Sequence, residues 1–116
     1  MPIVNLITKE KIASEKKEIL KKELADVMYE VAGKSENWLM VRFTEEEDIF
    51  FQGQPLVKGG IVEIKLVGKL QRGQKEEISK RICDVLNKVL GYRKDSIYIV
   101  IQEIEGQNWG YNGSTF

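Results

Sequence analysis

The chain has 116 residues, 18 Lys plus Arg against 18 Asp plus Glu, a formal net charge of zero, one Cys and no His. That length is one ordinary domain. The missing imidazole excludes Ser-His-Asp triads, Cys-His dyads and histidine metal sites, and the lone Cys83 excludes an internal disulfide. Balanced charge argues against nucleic acid as a partner. No apolar run approaches the ~20 residues of a membrane span, and no basic-then-apolar leader is visible, so the expected setting is cytosolic with no membrane partner.

In chain order, Ile3–Thr8 is a short β-branched apolar run and predicts a strand. Leu20, Leu24, Val27 and Val31 step by 4, 3 and 4, the spacing of one helix face. Ser14 is the candidate N-cap of that helix, and Gly33 sits where a left-handed C-terminal residue belongs. Trp38–Phe43 resumes strand character. The connection from Thr44 to Gly60 opens on the acidic run Glu45-Glu46-Glu47-Asp48, expected to be a solvated loop without function. Phe50-Phe51 is expected as a short strand or a plug at the sheet edge. Ile61–Val67 predicts a strand, Ile78, Ile82, Val85 and Val89 a second helix ending at Gly91, and Ser96–Ile101 a further strand. The tail from Gln107 to Phe116 has no evident counterpart in the first half.

Shifted by 58, half its length, the sequence matches itself without a gap. Eleven of the 44 positions from 3 to 46 are identical: Ile3, Val4, Lys11, Lys17, Glu18, Lys22, Asp26, Val27, Val31, Gly33 and Glu45 fall on the same residues 58 further on. Constant register through strand, helix, terminating Gly and second strand predicts a duplicated unit. The expectation is one domain over 1–116 with pseudo-repeats 1–58 and 59–116. Its fold class is α/β (α+β): two β-α-β units sharing a four-stranded mixed sheet, with both helices on one face.

Such a layer leaves one sheet face uncovered. Yet Ile97, Ile99 and Ile101 oppose Tyr98 and Val100, and Val4 and Leu6 oppose Ile3, Asn5 and Ile7, so apolar residues fall on both faces. Asn5, Arg42, Lys65 and Tyr98 make the second face mixed. Another subunit is the economical cover, the alternative being a monomer with a partly wet sheet.

Pro2 follows Met1, and removal of Met1 before a small residue would leave proline's secondary amine as the N-terminus. Burial or a nearby Lys lowers an amine's pKa, which would give a base near neutral pH in a protein without His. The plainer alternative is a Pro that begins an edge strand. If Met1 stays, the Pro2 nitrogen is an amide with no basic lone pair.

Met1-Pro2, Gly33-Lys34, Val67-Gly68-Lys69 and the tail Asn108-Trp109-Gly110-Tyr111-Asn112-Gly113-Ser114-Thr115-Phe116 together resemble the macrophage migration inhibitory factor family of the tautomerase superfamily, over the whole chain. The resemblance implies a homotrimer around a central channel. It also implies cofactor-free keto-enol tautomerisation of small aromatic 2-keto acids of the phenylpyruvate type, or rearrangement of dopachrome analogues. By position, Pro2 would carry the proton, Lys34 would bind the substrate carboxylate, and the Val67 backbone N–H would assist it. Tyr98 would enter the pocket from the neighbouring subunit, and Trp38, Trp109 and Phe116 would form its walls. Val100 stands where the family commonly has an Asn, Leu66 where it has Ser, and Trp109 where it often has Val. The Cys-x-x-Cys of mammalian members is absent, so no thiol-redox activity is expected. The family resemblance carries a second reading from another class, a leaderless secreted cytokine-like or host-modulating protein acting on a receptor, with vestigial catalysis. Topology alone would also allow a ferredoxin-like nucleic-acid or regulatory domain, ranked last because the basic excess and the RNA-binding aromatic motif are missing.

Overall fold

Burial alternates along Pro2–Thr8 (β1) and Gly60–Val67 (β5), with every even-numbered residue covered, which is the period-two signature of strands packed on one side. The computed structural model describes residues 1–116. Besides these strands it contains α1 (Ser14–Ala32), β2 (Met40–Thr44), the short strands β3 (Phe50–Phe51) and β4 (Gln54–Pro55), α2 (Arg72–Leu90), β6 (Ile97–Ile104), and the short strands β7 (Gly110–Tyr111) and β8 (Ser114–Thr115). The four long strands form one sheet in the order β2-β1-β5-β6. Each β-α-β unit contributes a parallel pair, and β1 runs antiparallel to β5 where the units meet, so the sheet is mixed as expected.

The duplication extends into the core. Val4 and Leu6 from β1 match Val62 and Ile64 from β5. Leu20, Leu24, Val27 and Met28 from α1 match Ile78, Ile82, Val85 and Leu86 from α2, and all twelve are buried in one cluster. Both helices therefore cover the same sheet face. Each fully buried aliphatic side chain contributes about 1.5–3 kcal/mol relative to exposure.

Both helices end alike. At Gly33 (φ 67°) the chain turns left-handed, its N–H donates to the Tyr29 carbonyl (2.9 Å), and the Lys34 N–H donates to the Met28 carbonyl (3.0 Å). Gly91 (φ 73°) and Tyr92 repeat the pattern on Asn87 and Leu86. The same backbone device thus presents Lys34 in one unit and Tyr92 in the other. Tyr92 is wholly buried and its hydroxyl donates to Glu10 (2.8 Å); burial, then that bond, pushes the hydroxyl's pKa far up.

Four expectations change. The N-cap of α1 is Ala13, with Ser14 already in the helix and no side-chain cap, whereas α2 has a reciprocal Gln71–Gln74 capping box. Trp38 ends a 3₁₀ turn, Glu36–Trp38, because Ser35 accepts the Asn37 N–H and stabilises the turn before β2 starts. The acidic run is not merely solvated: Glu45 accepts the Ile12 N–H (2.5 Å) and pairs with Lys17 (2.6 Å). In the second unit Glu103 takes the Leu70 N–H (2.6 Å) and Lys75 (3.1 Å). Finally, the tail does have a counterpart. The β3–β4 hairpin turns at Gln52-Gly53 (φ 54° and 76°) and the β7–β8 hairpin at Asn112-Gly113 (φ 52° and 79°), both with the two left-handed residues of a type I′ turn.

Candidate active site

The start of β1 lies in the interior of the sheet, between β2 and β5, with Pro2 opposite Leu66 and Ile3 between Met40 and Lys65. Pro2 has no N–H to offer a ladder, so it suits the first strand position, and it is buried. Beside it opens a cavity of about 500 Å³, the size range of small-ligand sites. Its walls come from four places: Met1, Pro2 and Ile3; the turn into β2 with Trp38 and Met40; Lys65 and Ile104 from the adjoining strands; and Trp109 and Tyr111 from the tail.

Two predicted residues meet behind this cavity. The Lys34 ammonium donates to the Val67 carbonyl (3.1 Å), and the Val67 N–H donates to the Met1 carbonyl (3.3 Å). Neither residue lines the cavity directly; both are joined to it through Met1. The Met1 amine is held below its ordinary pKa, first by burial and second by the positive charge of Lys34. A cation, a backbone donor and a depressed amine therefore stand together at the end of β1.

Trp38 and Trp109 line this cavity. Phe116 stands one ring back. It stacks on Tyr111 at 6.2 Å, and Tyr111 meets Trp38 edge-on at 5.2 Å, so the last residue braces the rim without lining the cavity. Tyr98 and Val100 are not brought to this cavity. They lie exposed on the open sheet face, Tyr98 opposite Ile61 and against Phe51 (5.5 Å). Ile61 and Val67 lie six residues apart on β5, roughly 20 Å along the strand. Sequence reasoning missed Tyr111, Met40 and Lys65 as lining residues. Lys65 was legible as an open-face residue of β5, but its meeting with the tail was not. Tyr111 would have been found by matching the two hairpins, whose offset is 60, not 58.

Two β-α-β units sharing a mixed sheet make a tautomerase-like fold, and a family model described as "Tautomerase enzyme" matches residues 61–116. The chain is 27% identical to a macrophage migration inhibitory factor homolog of Trichinella spiralis over 118 residues, covering both chains completely. Among solved structures, a macrophage migration inhibitory factor-like protein of Entamoeba histolytica superposes with a TM-score of 0.87 at 29% identity, covering 99% of this chain and 98% of the other. The MIF2 of Leishmania major superposes with a TM-score of 0.89 at 24% identity, covering 100% and 97%. Along its whole length the chain is thus similar to macrophage migration inhibitory factor proteins.

Proposed function

We propose that this protein is a cofactor-free keto-enol tautomerase of small aromatic 2-oxo acids, phenylpyruvate being the simplest example, with Pro2 as its acid-base group. The observation that carries the reading is the junction of Lys34, Val67 and Met1. When Met1 is removed, three things change at one place. The Pro2 nitrogen becomes a secondary amine, the Val67 N–H loses its partner, and the space of Met1 is vacated beside the Lys34 ammonium. A substrate carboxylate would bind between the ammonium and the freed N–H, a charge-assisted arrangement. Its C3 carbon would then lie near the amine. The amine takes a proton from C3 while the carbonyl oxygen gains one from solvent, giving the enol; the reverse sequence returns the keto form. Trp38 and Trp109 offer apolar area for the ring.

The second part of the proposal is assembly. Tyr98 and Val100 lie too far from their own cavity to serve it, and the open face carries exposed Met40, Tyr98 and Val100 with no element to cover them. A homotrimer would cover that face and bring Tyr98 of one copy to the cavity of the next.

The test is phenylpyruvate tautomerisation by protein shown by intact mass to begin at Pro2. Pro2→Gly should lose at least about 100-fold in turnover while keeping its assembly mass, the usual share of general acid-base catalysis. Equal turnover in the variant sinks the reading. A surface-acting signalling role draws on the names of relatives alone, and the same variant separates it, since receptor binding would survive Pro2→Gly.

A further inference from the structure

We propose that Lys65 is a second anion-binding group of the cavity, and that the substrates of this chain are 2-oxo acids carrying a second carboxylate. This rests on the reading above and adds the charge of the ligand to it. Along β5 the residue opposite Pro2 is Leu66, so Val67 and Lys65 flank Pro2 on either side and share one sheet face. Their Cα atoms are about 6.6 Å apart. Lys34 is fixed at the Val67 side. Lys65 lines the cavity at the other, opposite Ile3 and beside Gln102. Along β5 the position opposite Pro2 is thus flanked by Val67, which holds the Lys34 ammonium, and by Lys65.

Nothing in the chain neutralises the second one. Most Lys and Arg side chains here take a carboxylate partner, Lys9, Lys17, Lys58, Lys75, Lys88 and Arg81 among them. Lys65 takes none, although Glu63 lies two residues away on the same strand face. No Asp or Glu lines the cavity. In a protein of zero net charge, the cavity wall is a local positive site set in apolar and aromatic surface, which strengthens its field toward an anion. A mono-acid held by Lys34 leaves Lys65 without a counter-charge; a ligand with acidic groups at both ends satisfies both cations with the reacting carbon between them.

The experiment compares oxaloacetate with phenylpyruvate, following deuterium exchange at C3 by NMR, in protein beginning at Pro2. In the unmodified protein both substrates exchange. Lys65→Ala lowers the ratio of kcat/KM for oxaloacetate to that for phenylpyruvate by ten-fold or more, mainly through KM for oxaloacetate. Lys65→Arg keeps most of the ratio, and Lys65→Glu lowers it further. An unchanged ratio in Lys65→Ala overturns the proposal, as does a loss shared equally by both substrates with a changed assembly mass, which would make Lys65 an intersubunit ion-pair partner. Exchange of neither substrate by the unmodified protein instead overturns the tautomerase reading itself.

Discussion

The amine at the head of β1 is governed by two neighbours of different kinds. Burial disfavours its charged form, and the Lys34 ammonium adds like-charge repulsion. In the proposed mature form the same two causes are expected to act on a Pro2 amine one residue along the chain. The sign follows: a lowered pKa means the free base predominates above a midpoint below the ordinary α-amino range of about 7.7–8.0. Enolisation, which needs the base, should rise through that midpoint as pH increases and then level off. Lys34→Met removes the smaller of the two causes, so the midpoint should move up while KM for the acid rises. C3 deuterium exchange measured across pH checks both; a midpoint that moves down on losing Lys34 contradicts the assignment. Pro2, Lys34 and Val67 could be picked out from Met-Pro, Gly-Lys and Val-Gly-Lys. Phe116 was legible only as an aromatic near the site, because whether a ring lines a cavity or braces its neighbour depends on the turn between them.

At the scale of elements, the repeated unit reuses its fastenings. Glu45 and Glu103 each clamp the segment leading into a helix, accepting a backbone N–H and the ammonium of the lysine five residues further on. Lys17 and then the Ile12 N–H hold the Glu45 carboxyl below its ordinary pKa. Stability from this clamp is complete above the unfolded carboxylate range and is lost as pH falls through the lowered folded value. Glu45→Ala should cost about 1 kcal/mol at neutral pH, checked by urea unfolding, and the difference from the parent should shrink toward pH 3. Glu103→Ala, on a more exposed pair, should cost less. The strands and helices were readable because their apolar periods of two and 3.6 repeat at one offset. The acidic clamp was not, since a run of carboxylates has the same composition whether it faces water or a backbone N–H. The Ser14 cap failed for a related reason: Ala13 already has the extended backbone of the capping residue, and Glu45 binds the N–H just before it.

For the whole molecule, the uncovered face determines what a single chain can do. Core substitutions act on the folded unit: Leu24→Ala, wholly within the helix-sheet interior, should cost about 2–5 kcal/mol. Substitutions at Tyr98 act between copies on the proposed assembly. Pro2→Gly and Tyr98→Ala proteins, each weak alone, should regain activity when unfolded together and refolded, because a mixed assembly contains sites that take Pro2 from one copy and Tyr98 from the next. Activity no greater than the sum of the separate proteins would show that no site is shared. The Met1 carbonyl bears on the same molecule in another way. It accepts the Val67 N–H in the folded chain, so on the proposed chemistry removal of Met1, not folding, frees that donor. On the same chemistry a chain that keeps Met1 ahead of Pro2 is inactive, because its Pro2 nitrogen is an amide. A purification tag left ahead of Pro2 would have the same effect, yielding a well-folded protein whose inactivity reflects how it was produced.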